Sequence, residues 1–188
     1  MGARNRARYL KFRSIRERST AANQRREFGH WEGDSVQFTT SRNCDHITTL
    51  VERQTRYSQA LLQHETVSQT VMTRIKERFS KLPLVACQSL TFDQGTEFSH
   101  YQILERGPGR KRRQMITYYC DVKSPWQKGT NENFNRRLRR FLPRNFNIQQ
   151  LTELQLENII KMMNSTPRKC LGFRTPSEAY NLACRTSH

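Results

Sequence analysis

Three acidic residues lie in sequence settings suited to metal chemistry. They are Asp34 in Gly-His-Trp-Glu-Gly-Asp, Asp93 in Leu-Thr-Phe-Asp-Gln-Gly, and Glu132 in Lys-Gly-Thr-Asn-Glu-Asn. Carboxylates repel a phosphate unless a cation lies between them, and hard divalent cations bind carboxylate and phosphate oxygens together. Three converging carboxylates also repel one another unless metal ions compensate their charge. The three residues therefore predict a site for two Mg²⁺ ions that performs phosphodiester chemistry, with all three as catalytic groups and metal ligands.

Each acid also has an ordinary structural explanation. Asp93, before Gln-Gly, could cap a turn, and Glu132 could pair with Arg136 one helical turn later. Asp34 is harder to explain in this way, because an acid in the middle of a buried strand is costly without a partner. The three acids in this order on a basic chain favour the functional interpretation. Other acids that could replace a member of the triad are Glu32, Asp45, Glu97 and Asp121. Glu97 is the strongest substitute.

The charge of the chain predicts a polyanionic partner. Its 188 residues include 33 Lys+Arg and 16 Asp+Glu, a formal net charge of +17. Two stretches hold nearly all of it, residues 1–30 with a net +7 and residues 110–144 with +9. Like charges at this density repel without a polyanion, so the second stretch predicts nucleic-acid contacts. For the first stretch, a linker with incidental charge explains the composition almost as well.

Individual residues near Glu132 are suited to contact DNA. Trp126 could stack on a base, and packing beneath its loop is an equal alternative. The residues predicted to bind DNA are Arg110, Lys111, Arg112, Arg113, Trp126, Lys128, Asn133, Arg136, Arg137, Arg139 and Arg140. His30 lies on the same predicted strand face as Asp34, where it could support the site or be a satisfied buried histidine.

Several classes of protein are disfavoured by composition. The five cysteines form no C-x-x-C pair, so neither a zinc ribbon nor a disulfide framework is predicted. The longest apolar run, near residues 82–87, is too short to cross a bilayer. No apolar signal-peptide core follows the early arginines. We expect a cytoplasmic, nucleoid-associated protein with reduced thiols and no membrane contact.

The periodicity of apolar residues predicts alternating strands and helices. Strands are predicted at 30–38, 46–52, 56–63, 89–92 and 115–120, and the first three look like an antiparallel meander. Helices are predicted at 67–79 and 98–104. A further helix opens at Glu132, with Phe134, Leu138 and Phe141 facing the core. The last two begin at the capping-box residues Thr152 and Thr175.

This order predicts an α/β fold of the ribonuclease H-like kind, a mixed five-stranded sheet with helices on both faces. Residues 1–27 are interpreted as a basic linker or arm, and residues 28–188 as a ribonuclease H-like catalytic core with C-terminal helices. Asp34 lies within the first strand and Asp93 ends the fourth. The two carboxylates would meet at one edge of the sheet if those strands are neighbours, and Glu132 would project toward that edge from a helix.

Long stretches of the chain also resemble a known family. They are 29–34 (Gly-His-Trp-Glu-Gly-Asp), 49–53 (Thr-Leu-Val-Glu-Arg), 89–98 (Ser-Leu-Thr-Phe-Asp-Gln-Gly-Thr-Glu-Phe), 119–121 (Tyr-Cys-Asp), 124–133 (Ser-Pro-Trp-Gln-Lys-Gly-Thr-Asn-Glu-Asn) and 167–176 (Pro-Arg-Lys-Cys-Leu-Gly-Phe-Arg-Thr-Pro). Together they resemble the catalytic domain of insertion-sequence-thirty-type bacterial transposases, from about residue 13 to 181.

The resemblance implies a retroviral-integrase-like catalytic core with Asp34, Asp93 and Glu132 as its acidic triad. It implies an enzyme that uses two Mg²⁺ or Mn²⁺ ions to cleave the ends of a mobile element and join the freed 3′-hydroxyl to target DNA. It also implies a homo-oligomer when assembled on DNA. The interval between Asp93 and Glu132 is longer than the family pattern, so we expect a protruding basic loop at 107–113 that leaves the triad intact.

Two other functions stay open at this point. One is a ribonuclease H-type or junction nuclease on the same fold, without transposition activity. The other is a transposase fragment that only binds DNA. The family carries a helix-turn-helix region that recognises the element ends, and we expect that region to lie outside this chain.

Overall fold

A five-stranded mixed sheet is the centre of the fold. The computed structural model describes residues 12–39, 44–106, 115–122 and 124–186, so the predicted turn at 41–43 and the basic loop at 107–113 lie outside the described residues. The strands are β1 (His30–Gln37), β2 (His46–Glu52), β3 (Ser58–Gln63), β4 (Ser89–Phe92) and β5 (Ile116–Tyr119). They lie in the order β3-β2-β1-β4-β5. β1, β2 and β3 form an antiparallel meander, whereas β4 and β5 pair in parallel with their neighbours.

Helices cover both faces of this sheet, as predicted. They are α1 (Thr20–Asn23), α2 (Ser68–Ser80), α3 (Gln102–Glu105), α4 (Gly129–Leu138), α5 (Glu153–Asn164) and α6 (Pro176–Thr186). Side chains of α2, α3 and α6 pack with one set of inward-facing strand residues around the fully buried Trp31. Side chains of α4 and α5 pack with the opposite set, around Ile47. The alternation of apolar residues along each strand therefore divides the core into two layers.

Local capping sets the ends of two helices. Before α5, Thr152 accepts a hydrogen bond from the Gln155 N–H, and the Gln155 side chain accepts one from Thr152, which completes the predicted capping box. Before α6, Thr175 and Glu178 make the same reciprocal pair. No helix among the described residues is long and apolar enough to cross a membrane.

The structure differs from the predicted pattern around α4. The helix begins at Gly129, three residues before Glu132, and ends at Leu138. Phe141, predicted to face the core, is 40% exposed, and Leu142 is buried instead. The helical period no longer applies after Leu138, because the chain leaves the helix in a turn. The predicted helix at 98–104 is likewise a short 3₁₀ turn followed by α3.

The described part of the predicted arm packs on the core. Ser14 pairs with Tyr119 beside β5, and the side chains of Ile15 and Ala22 are buried. Arg18 is also buried and donates a hydrogen bond to the Thr91 hydroxyl on β4. The domain boundary at residue 28 stays a prediction, and residues 12–27 contribute contacts to the same core.

A buried ion pair joins β1 to the turn after β2. Glu32 is 1% exposed and Arg53 is 4% exposed, and a carboxylate oxygen of Glu32 lies 3.1 Å from a guanidinium nitrogen of Arg53. The other carboxylate oxygen accepts a 2.9 Å hydrogen bond from the backbone N–H of Asn131, in the first turn of α4. One carboxylate therefore holds two strands and a helix together.

We predict that Arg53→Ala lowers the free energy of unfolding by about 3–5 kcal/mol, because Glu32 is left as a buried charge without its partner. Glu157→Ala removes the partly exposed pair with Arg78, in which the charges are 3.6 Å apart, and should cost less than about 1 kcal/mol. Urea unfolding of both variants checks this. Equal losses would contradict the assigned role of Glu32 and Arg53.

Candidate active site

The register of β1 and β4 brings Asp34 and Asp93 together. The strands run parallel, with Glu32 opposite Thr91. Two residues further along the chain lie Asp34, within β1, and Asp93, directly after β4. Both fall on the same side of the sheet, because side chains alternate with a period of two. The expectation that these acids meet at one sheet edge is therefore confirmed by the strand pairing.

An ammonium group lies between the two carboxylates. The Nζ atom of Lys128 is 2.6 Å from Oδ1 of Asp34 and 2.7 Å from Oδ2 of Asp93. It also donates to the carbonyl oxygen of Gly33 at 3.3 Å. The side chain of Lys128 is 9% exposed, against 24% for Asp34 and 46% for Asp93. A single cation thus bridges the two acids at the floor of a cleft.

The electrostatics of this bridge favour a cation beside Asp34. Burial raises the pKa of Asp34, against the opposing effect of the Lys128 charge. Burial lowers the pKa of Lys128, but its attraction to Asp34 and Asp93 outweighs this, so the net pKa is raised and the ammonium keeps its proton. A bare carboxylate at position 34 would be costly, and positive charge at this point offsets that cost.

Side-chain amides of α4 hold Asp34 from the other side. The Asn135 amide donates a 2.7 Å hydrogen bond to Oδ2 of Asp34. The Thr49 hydroxyl on β2 lies 3.0 Å from the Asn135 amide oxygen and 3.1 Å from that of Asn131. Both oxygens of Asp34 therefore have fixed partners, which sets the orientation of the carboxylate.

Glu132 lies in the first turn of α4 and lines the same cleft as Asp34 and Asp93. The cleft has a volume of about 720 Å³, and the side chain of Glu132 is exposed at its wall. Among the described residues, no three His, Cys, Asp or Glu side chains form a group that could hold a metal ion. The predicted cluster of three carboxylates is thus only partly assembled: Asp34 and Asp93 meet at Lys128, whereas Glu132 lines the same cleft without joining them in such a group.

Arginines and one further acid line the cleft around these residues. Arg136, Arg139 and Arg144 contribute positive charge. Asp121, one of the alternative acids, also lines the cleft, where hydrogen bonds from Gln127 and Arg16 lower its pKa. Its carboxylate is therefore committed to these two partners.

The other alternative acids have structural partners or lie elsewhere. Glu32 holds Arg53 and Asn131, and Asp45 lies 2.8 Å from a ring nitrogen of His64. Glu97, the strongest substitute on sequence grounds, is not a lining residue of the cleft, but its carboxylate lies close to that of Asp93, since both would contact a Cβ atom added at Gly95. His30 is buried with its ring 2.6 Å from the Ser89 hydroxyl, which fits the satisfied buried histidine.

The residues predicted to bind DNA fall into several places. Arg110, Lys111, Arg112 and Arg113 lie outside the described residues. Trp126 is 72% exposed, which excludes packing beneath its loop. Lys128 was predicted to contact phosphate but is buried between two acids instead, because carboxylates on two adjacent strands surround it.

The remaining predicted DNA contacts divide between two sides of α4. Arg139 lines the cleft that holds Asp34 and Asp93, and its guanidinium carbon lies 4.7 Å from the ring centroid of Phe38. Asn133, Arg137 and Arg140 line a different cleft. Arg136 lines both.

Sequence reasoning missed the roles of Asn131, Asn135 and Arg144. The sequence contained a helical spacing that could have identified Asn135. Intervals of four, three and four residues separate Lys128, Glu132, Asn135 and Arg139. This spacing places side chains on one face of a helix. The long connection that carries Arg144 toward the cleft left no such signal.

Comparison with known proteins finds similarity to bacterial transposases. It is 38% identical over 164 residues, 87% of its length, to the Transposase InsI for insertion sequence element IS30C from Escherichia coli. It is 34% identical over 170 residues to the probable transposase for insertion-like sequence element IS1161 from Streptococcus salivarius. The chain spans 41% and 46% of the length of these two relatives. No family model matches the chain.

Solved structures with the same fold are integrases. The catalytic core domain of BIV integrase superimposes with a TM-score of 0.63 and 21% identity, over 84% of this chain and 97% of that one. A chain of the simian T-cell lymphotropic virus intasome superimposes with a TM-score of 0.60 and 14% identity, over 82% of this chain and 54% of that one. The predicted ribonuclease H-like fold is confirmed by these likenesses.

We predict that Lys128→Met lowers the free energy of unfolding by about 1–3 kcal/mol in the absence of divalent ions, because two neighbouring carboxylates then lack their shared cation. The double variant Lys128→Met/Asp34→Asn should recover part of this loss, since it removes one of the two repelling charges. Urea unfolding in EDTA measures both. A double variant no more stable than the single one would contradict the bridge.

Proposed function

We infer that this chain belongs to the family of IS30-type insertion-sequence transposases over the matched segment. On that premise, we propose that it performs the DNA cleavage and strand transfer of transposition. Asp34, Asp93 and Glu132 are its catalytic residues in this proposal. The observation that carries it is the convergence of Asp34 and Asp93 at one sheet edge, with Glu132 on the wall of the same cleft.

The carboxylate chemistry of this cleft suits divalent metal ions, although its three acids do not form a ready metal-binding group among the described residues. Asp34 and Asp93 already share one cation, the Lys128 ammonium, with contacts of 2.6 and 2.7 Å. Carboxylate oxygens are the ligands that Mg²⁺ and Mn²⁺ prefer, and Glu132 offers a third. Bound there, such ions supply charge stabilisation and an activated oxygen nucleophile. The proposal takes two ions held by Asp34, Asp93 and Glu132.

The other residues of the cleft position the reacting groups. Asn135 fixes Oδ2 of Asp34 and thereby leaves Oδ1 directed at the ammonium. Arg136, Arg139 and Arg144 lie around the cleft, where their guanidinium groups would bind phosphate oxygens of a DNA strand. Trp126 lies in the chain between two lining residues of this cleft, Ser124 and Lys128, and its exposed ring is suited to stack on an unpaired base. These residues would hold the strand in line with the carboxylates.

The proposed partner is DNA, both as element ends and as target. The net charge of +17 favours this polyanion over an acidic protein, since counterion release drives such binding. A homo-oligomer on paired ends is part of the same proposal, and so is the bacterial cytoplasm as its location. The solved intasome with the same fold was determined in complex with PP2A regulatory subunit B56 gamma, which is a property of that assembly.

We predict that Asp93→Asn reduces Mn²⁺-dependent nicking of supercoiled plasmid DNA by at least about a hundredfold, because the metal ions lose a ligand. Glu77→Gln is the matched control, since Glu77 is an exposed residue of α2 that does not line the cleft. It should keep activity within about threefold of the unmodified chain.

The same assay separates this proposal from its two rivals. A chain that binds plasmid but forms no nicked product in Mn²⁺ would indicate a DNA-binding fragment. Faster cleavage of the RNA strand in a DNA–RNA hybrid than of duplex DNA would indicate a ribonuclease H-type nuclease. Either result would overturn the proposal, as would full activity of Asp93→Asn.

A second prediction concerns metal affinity without DNA. Lys128→Met should bind Mn²⁺ at least about tenfold more tightly than the unmodified chain, because no buried positive charge then competes for the two carboxylates. Lys81→Met, an exposed change at the end of α2, is the control and should leave the affinity unchanged. Calorimetric Mn²⁺ titration measures both. Unchanged or weaker binding by Lys128→Met would contradict competition for one site.

A further inference from the structure

A second basic cleft lies on the other side of α4 from the acidic residues. It has a volume of about 460 Å³. Its positive side chains, apart from the shared Arg136, are Arg25, Arg56, Arg137, Arg140, Arg168 and Lys169. None of the described residues that line it is acidic. The four segments that contribute these side chains are distant along the chain, so the concentration of charge is a product of the fold.

Two guanidinium groups converge on one hydroxyl at the floor of this cleft. A terminal nitrogen of Arg25 and one of Arg56 each lie 3.3 Å from Oγ1 of Thr130, and both donate to it. Thr130 is only 5% exposed. Burial lowers the pKa of Arg25, the neighbouring charge of Arg56 lowers it further, and the carboxylate of Glu32 opposes these effects in part. Like charges held this close destabilise each other unless an anion lies between them.

The position of these groups on α4 also favours an anion. Gly129 and Thr130 begin the helix and line the cleft, where the positive end of the helix dipole, which also interacts with the Glu32 carboxylate at the Asn131 N–H, adds to the guanidinium charges. Thr130, Asn133, Arg137 and Arg140 follow at intervals of three, four and three residues. These side chains form one stripe along α4. It lies on the opposite side of the helix from a second stripe formed by Glu132, Asn135 and Arg139.

We propose that this cleft is a DNA-backbone site separate from the catalytic cleft, with Arg25, Arg56 and Thr130 binding a phosphodiester group. The inference rests on the proposed function, since that function supplies DNA as the ligand. Guanidinium groups match phosphate oxygens through paired hydrogen bonds, and Arg137, Arg140, Arg168 and Lys169 would follow the backbone on either side. Because Arg136 lines both clefts, a bound DNA would pass close to the catalytic groups.

DNA binding without metal ions tests this proposal. The double variant Arg140→Glu/Lys169→Glu changes two exposed residues of the cleft. The control Lys81→Glu/Arg185→Glu makes the same change in net charge at two exposed positions elsewhere. Fluorescence anisotropy with labelled duplex DNA in EDTA is measured over a range of salt concentrations. Each lost phosphate contact should reduce the slope of log K against log salt by about one unit.

The expected result is a slope reduced by about two units in the cleft variant, against a smaller change in the control. Arg25→Ala should also lower the affinity for DNA. Its far-ultraviolet circular dichroism should match that of the unmodified chain, which would show that the variant is folded. Equal slopes for cleft and control variants would overturn the proposal, because general charge would then explain binding.

A titration with inorganic phosphate distinguishes the two sources of a phosphate group. Saturation of the cleft by millimolar phosphate, with no difference in DNA binding between the variants, would assign a small-anion site and overturn the DNA assignment. All these measurements exclude metal ions and use no cleavage product. The nicking assay with Asp93→Asn tests the proposed function, and the salt slope of the cleft variant tests the second DNA site. Either proposal can therefore fail while the other holds.

Discussion

The buried carboxylate of Glu32 is the interaction on which the geometry of both clefts depends. It is 1% exposed and binds Arg53 through one oxygen and the Asn131 N–H through the other. Arg53 follows β2, and Asn131 lies in the first turn of α4. A charge in this position stabilises the fold only when all its partners are in place. The first turn of α4 is therefore fixed relative to β1, and every functional side chain on α4 takes its position from that attachment.

Much of the fold follows from residue patterns. The strands 46–52 and 89–92 agree with the structure at both ends, because each is an apolar, β-branched run. The helices after Thr152 and Thr175 begin where their capping residues predict. The meeting of Asp34 and Asp93 was predicted on the condition that β1, which contains Asp34, and β4, which precedes Asp93, are adjacent in the sheet.

The rest depended on contacts that no local pattern encodes. The burial of Lys128 arises from two strands that each bring an acid to it, so a side chain interpreted as a phosphate contact became part of an ion triad. The packing of residues 12–27 on the core depends on distant partners such as Thr91 and Tyr119. Arg25 and Arg56 meet at Thr130 only after folding, since they lie more than one element apart. Single-sequence periodicity contains no information on such long-range pairs.

The number of residues in α4 determines which of the two clefts each of its side chains faces. One side of the helix carries Glu132 and Asn135, the other carries Thr130 and Asn133, and Phe134 is buried between α4 and the sheet. Each residue advances an α-helix by about 100°. Inserting or deleting one residue after Phe134 would rotate every later side chain by that angle, turn arginines toward the wrong cleft and bring polar groups into the core. A single substitution alters one side chain of this helix, whereas a change in its residue count would disrupt both surfaces together.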